Sequence, residues 1–113
     1  MIAVDTLLVF TNMPDRESAL ALAQALIDTR VAACVNVLGG CTSIYRWQGA
    51  TEKAEEVPVL IKTRAAQYEA LERAIREQHP YDVPEIIAVP VTQGLPAYLE
   101  WVESETLPPA SGR

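Results

Sequence analysis

The sequence predicts an α+β domain in which strands and helices follow in the order βαββαβ, with one further helix at the end. Three observations carry this reading. Short segments rich in Val, Ile, Leu and Thr have extended patterning, stretches between them switch to helical spacing, and Gly or Pro punctuates the changes. That order is the split-βαβ, ferredoxin-like plan, an antiparallel sheet with helices on one face.

Ile2 to Thr11 has strand composition, and Met13-Pro14-Asp15 breaks it. Asp15 suits an N-cap, with Glu17 in the first turn where the helix dipole favours negative charge. Ala19, Leu22, Ala23, Leu26 and Ile27 then recur at helical spacing. Val31 to Leu38 is again extended; Gly39-Gly40 reads as a bulge or bend, because Thr42 to Gln48 resumes the strand pattern. Gly49 and the polar stretch Thr51 to Glu56 mark the tip and return of a long hairpin, and Val57 to Lys62 is the returning strand. Pro58 within it has no N–H and must face an edge or a bulge. Thr63 is placed to cap a second helix carrying Tyr68, Leu71 and Ile75, which ends at Pro80. Glu85 to Val91 predicts the fourth strand, and Leu95, Tyr98, Leu99 and Val102 the third helix. One domain over residues 1–106 and a loose tail from Leu107 to Arg113 follow.

Two strands carry an anomaly. In Leu7-Leu8-Val9-Phe10 and Ile86-Ile87-Ala88-Val89 both side-chain parities are apolar, so both sheet faces are greasy there. Two helices cover one face, and a short third hides only part of the other. Each large apolar side chain left wet forfeits about 1.5–3 kcal/mol. A homo-oligomer that covers the open face is the expectation.

Composition narrows the function. Nine Lys and Arg against fifteen Asp and Glu give a formal net charge of −6, which argues against nucleic acid as partner. No apolar run approaches a membrane span, and no basic n-region precedes an apolar segment at the start, so a cytoplasmic chain without a membrane partner is expected. Two cysteines are too few for a disulfide scaffold. No nucleophile elbow, P-loop, dinucleotide fingerprint or zinc-protease motif occurs, and the expectation is that the chain is not an enzyme.

Five blocks, read in order, carry a resemblance: Ala32-Ala33-Cys34-Val35-Asn36-Val37, Thr42-Ser43-Ile44-Tyr45-Arg46-Trp47-Gln48-Gly49, Ile61-Lys62-Thr63, His79-Pro80-Tyr81-Asp82-Val83-Pro84-Glu85-Ile86-Ile87 and Tyr98-Leu99-Glu100-Trp101. Together they resemble the CutA divalent-cation tolerance family. The resemblance implies a ferredoxin-like subunit in a compact homotrimer of PII-like design and a link to tolerance of divalent metals, copper above all. It also implies a possible divalent cation, Cu(II), as ligand. Where some members offer a Cys after the first strand and a His-His pair, this chain has Thr11, Gln78 and His79, so only His79 matches.

His79, the single histidine, has two readings: a metal ligand, or a C-terminal helix cap favoured by the dipole. Cys34 reads as a buried thiol, whereas Cys41 after Gly39-Gly40 has the more open setting. Tyr45, Trp47 and Trp101 are candidates for the trimer interface, since aromatic residues favour interface centres. Pro80 to Glu85 is either a rigid connector or one wall of an inter-subunit cleft. In the second case Tyr81, Asp82 and Glu85 would be polar contacts, and Arg46 and Lys62 would meet a small anion. A PII-like sensing module with its ligand in that cleft is the alternative function.

Overall fold

The computed structural model describes residues 5–106. The tail expected from Leu107 onward lies outside them. In chain order the elements are β1 (Thr6–Met13), α1 (Arg16–Asp28), β2 (Cys34–Val37), β3 (Cys41–Trp47), β4 (Ala50–Arg64), α2 (Tyr68–Gln78), β5 (Ile86–Pro90) and α3 (Pro96–Glu105). The sheet runs β2-β4-β1-β5, all neighbours antiparallel, with β3 paired to β4. Thus β4 separates β1 from β2 and β1 separates β4 from β5, which is the split-βαβ plan expected above.

Strand β4 is fifteen residues long and organises the rest. Its second half pairs with β1 on one side and β2 on the other; its first half pairs with β3 alone. Between Val37↔Val59 and Cys41↔Glu56, the residues Leu38, Gly39 and Gly40 stand opposite only Val57 and Pro58. That surplus residue is a β-bulge, as Gly39-Gly40 led us to expect. The Pro58 carbonyl accepts from Leu38 N–H at 3.0 Å. The imino nitrogen of Pro58 therefore faces the same neighbour, where the bulge has already interrupted the ladder. Gln48 and Gly49, with φ of 51° and 84°, form the two-residue turn that matches strand twist, so β4 begins directly after the tip.

Alternation sorts the faces. Val9, Met13, Val57, Val59 and Ile61 pack against Ala19, Leu22 and Leu26 of α1 and Leu71 and Ile75 of α2. The Asp15 side chain accepts from Ser18 N–H at 2.7 Å and caps α1, as its position predicted. Its carboxyl lies below the ordinary range because that backbone N–H, and then the Ser18 hydroxyl, favour the ionised form. At the other end Arg30, at φ 65°, takes the left-handed position of a Schellman stop, with Val31 N–H on the Leu26 carbonyl and Arg30 N–H on that of Ile27.

Two local readings change. Thr63 is not a cap: it is buried in β4, its hydroxyl donating to the Val31 carbonyl at 2.7 Å, and α2 starts later, after a 3-10 turn at Ala65–Gln67. In α3 only Val102 is fully buried; Leu95 precedes the helix and is exposed.

Leu8, Phe10, Leu60, Ile87 and Val89 share the second sheet face by register. Helix α3 lies over one end of it, where Arg64 meets Glu103 at 3.5 Å. Ile87 and Val89 keep 52% and 43% of their surface exposed, so the greasy second face is real and only partly covered.

Candidate functional site

A cleft of about 670 Å³ opens where three segments meet: the end of β1, the β3–β4 ribbon and the connector between α2 and β5. Asn12 comes from the first, Ser43, Ile44, Tyr45, Trp47, Glu52 and Glu56 from the second, and Tyr81, Asp82, Val83 and Glu85 from the third.

His79 holds the connector to the sheet. It follows α2 at the C-cap with extended backbone and is buried. Asn12 lies one residue beyond the last β1–β5 pair, Thr11↔Ile86, and its carbonyl faces that side. The Nε2 of His79 lies 2.6 Å from the Asn12 carbonyl, which can only accept, so Nε2–H donates. Nδ1 accepts the Tyr81 N–H at 3.3 Å, and the two rings lie 4.6 Å apart. Both ring nitrogens are thereby occupied. The imidazole thus ties the connector to β1 and bonds no carbonyl of α2; ligation of a metal would require releasing Asn12 or Tyr81.

Glu56 anchors the floor of the cleft. It is 8% exposed, and its carboxylate accepts from the Ser43 hydroxyl at 2.5 Å and the Tyr81 hydroxyl at 3.1 Å. Burial first, then the bond to Glu56 and its charge, push the Tyr81 phenol above its usual value. Asn12 Nδ2 donates to Glu85 at 3.0 Å across the mouth. Among the described residues the lining contains four carboxylates, on Glu52, Glu56, Asp82 and Glu85, and neither Lys nor Arg.

The structure thus brings Tyr81, Asp82 and Glu85 together as the sequence suggested, and adds Tyr45 and Trp47 to the same cleft. Arg46 and Lys62 are elsewhere. Arg46 is exposed on β3 and lies outside the lining. Lys62 sits on the second sheet face, donating to the Asn36 carboxamide, with Cys34 Sγ 4.0 Å away. Neither lines this cleft. Cys34 is half-buried rather than enclosed, and Cys41 is likewise half-buried with Ser43 Oγ 3.9 Å away. Trp101 is 42% exposed beside Tyr98, their rings 5.6 Å apart. Glu56, Ser43 and Asn12 were not anticipated. The only signal for Glu56 was its place in a polar stretch that reads as solvated ribbon. Among the described residues no set of three or more His, Cys, Asp or Glu converges to hold a metal ion, and no helix is long and apolar enough to cross a membrane.

Residues 7–105 match the family described as CutA1 divalent ion tolerance protein. The chain is 42% identical over 98 residues to the divalent-cation tolerance protein CutA of Thermus thermophilus, covering 87% of this chain and 95% of that one. It is 39% identical over 103 residues to the chloroplastic protein CutA of Arabidopsis thaliana, which covers 91% of this chain but 57% of that longer protein. The crystal structure of CutA from Xylella fastidiosa superposes with a TM-score of 0.88 at 44% identity, over 90% of this chain and 98% of that one.

Proposed function

The chain belongs to the CutA1 divalent ion tolerance family, and from that membership we propose that it acts as a cytoplasmic homotrimer in divalent-metal tolerance, copper included, without being an enzyme. Metal is held weakly, at the cleft. The observation that carries this reading is the cleft's charge: four carboxylates and no basic side chain favour a cation. Weak binding follows from their spacing, since a tight site needs ligands that converge on one point. His79 joins as a ligand only by giving up a contact that holds the connector. The trimer is supported by the half-covered second face and by Trp101, more than a third exposed and outside the cleft.

Calorimetric titration with Cu(II) and Zn(II), with sedimentation of the same samples, tests the proposal. Trimer mass with weak, saturable Cu(II) heat that shrinks in Glu85→Gln is expected. A monomer, or heat indifferent to the cleft carboxylates, would refute it.

A second reading, a PII-like sensor of a small molecule, draws on one specific observation. The cleft's volume lies within the range of organic-ligand pockets, about 300–1,000 Å³, and far exceeds what a bare ion occupies.

A further inference from the structure

We infer that the cleft takes a linear aliphatic polyamine, an organic chain bearing two or more ammonium groups; the inference deepens the small-molecule reading and rests on it. Charge sign comes first. Glu52, Glu56, Asp82 and Glu85 line the cleft with no Lys or Arg among them, so an anionic metabolite would meet only repulsion. Distribution comes second. The carboxylates are spread over the ribbon and the connector instead of converging. A compact ion can satisfy few of them at once, whereas a chain with separated charges can pair with several.

The walls supply the third argument. Val83 and the rings of Tyr45, Trp47 and Tyr81 form apolar surface between the carboxylates. Methylene segments bury well against such surface, and ammonium groups are attracted to aromatic faces. Glu56 is the fourth. It is 8% exposed, and the donors it has are the neutral hydroxyls of Ser43 and Tyr81. A carboxylate that sheltered attracts a cation far more strongly than one in bulk water, because the local dielectric is lower. It stands at the base of a cleft of about 670 Å³, room enough for an extended chain.

The test uses the two tryptophans. Trp47 lines the cleft and Trp101 does not, so Trp101→Phe leaves a single reporter at the site. Spermidine is the probe, 1,8-octanediol its neutral counterpart, and Mg²⁺ at matched ionic strength the control for screening. Spermidine should change Trp47 emission saturably, and Glu56→Gln should weaken its apparent affinity at least about tenfold, the loss expected for one charge-assisted contact. The diol should give no change. Circular dichroism monitors the fold of Glu56→Gln, and Glu52→Gln, on the exposed ribbon, supplies a second variant with a smaller expected loss.

Equal affinity in both variants, or an equal response to Mg²⁺, overturns the inference. Sedimentation and Cu(II) titration of the same protein separate the two levels of argument. Trimers that bind Cu(II) but ignore spermidine sink the polyamine and leave the metal proposal standing. Monomers that bind spermidine sustain the polyamine and remove the homotrimer.

Discussion

Replacing His79 with Leu separates a structural imidazole from a metal ligand. Leucine keeps most of the apolar bulk but removes the Nε2–H donor to the Asn12 carbonyl and the Nδ1 acceptor of Tyr81 N–H. A neutral hydrogen bond contributes about 1 kcal/mol net, and leaving a buried carbonyl unpaired costs about 1–3 kcal/mol. Among the described strands none offers a replacement N–H, since the Asn12 carbonyl faces the β5 side one residue past the last pair, Thr11↔Ile86. The contact is only part-buried, which places the total near the low end, about 2 kcal/mol. Urea unfolding at one fixed protein concentration should show the midpoint falling by about 1 M with an unchanged slope. His79→Gln, whose amide N–H reaches nearly the position of Nε2, should recover about half of the loss. All of this is measured without metal. If the Leu variant unfolds within about 0.5 kcal/mol of the parent, the imidazole is not a structural tie between the connector and β1.

Two further outcomes follow from the same geometry. Thr11 is 1% exposed and its hydroxyl has no partner among the described residues, so Thr11→Val, nearly the same shape, should raise the melting temperature, with a gain of up to about 1 kcal/mol. A clear loss of stability would reveal a partner for that hydroxyl. The Tyr81 phenol is raised by burial and by Glu56, so its contribution is complete below the ordinary phenol value of about 10 and is lost as pH climbs through the higher folded value. Tyr81→Phe should therefore blunt alkaline destabilisation, and the difference between the two phenolate absorbance titrations should show a group ionising above about 10; one ionising at or below that value would contradict the assignment.

Periodicity carried most of the fold because it reports burial directly. The α1 stripe, the two-faced strands β1 and β5, and the Gly39-Gly40 bulge each leave a pattern of spacing or punctuation. What escaped was whatever depends on distant partners. Thr63 looked like a cap because a Thr before a helical stripe usually is one, but the hydroxyl was claimed by the Val31 carbonyl across the fold. The polar run Thr51 to Glu56 read as the tip and return of the hairpin, with the strand from Val57, because exposed ribbon and turn share a composition; the tight turn at Gln48-Gly49 shows that the strand has already resumed at Ala50. Tyr81, Asp82 and Glu85 could be grouped from their shared connector. Glu56 could not join them, since its burial is created by Ser43 across the hairpin and by Tyr81 from the connector.

The bulge opposite Pro58 divides one long strand into two registers that answer to different neighbours. Upstream, from Ala50 to Glu56, the only backbone partner among the described residues is β3, so that arm can change length without moving a strand of the layered body. Because side chains alternate with a period of two, an arm extended by residue pairs would keep the rings of Tyr45 and Trp47 on their present side, and one extended by a single residue would turn them over. Reach and body are therefore separately adjustable parts, and insertions in even steps are the ones that such an architecture can absorb.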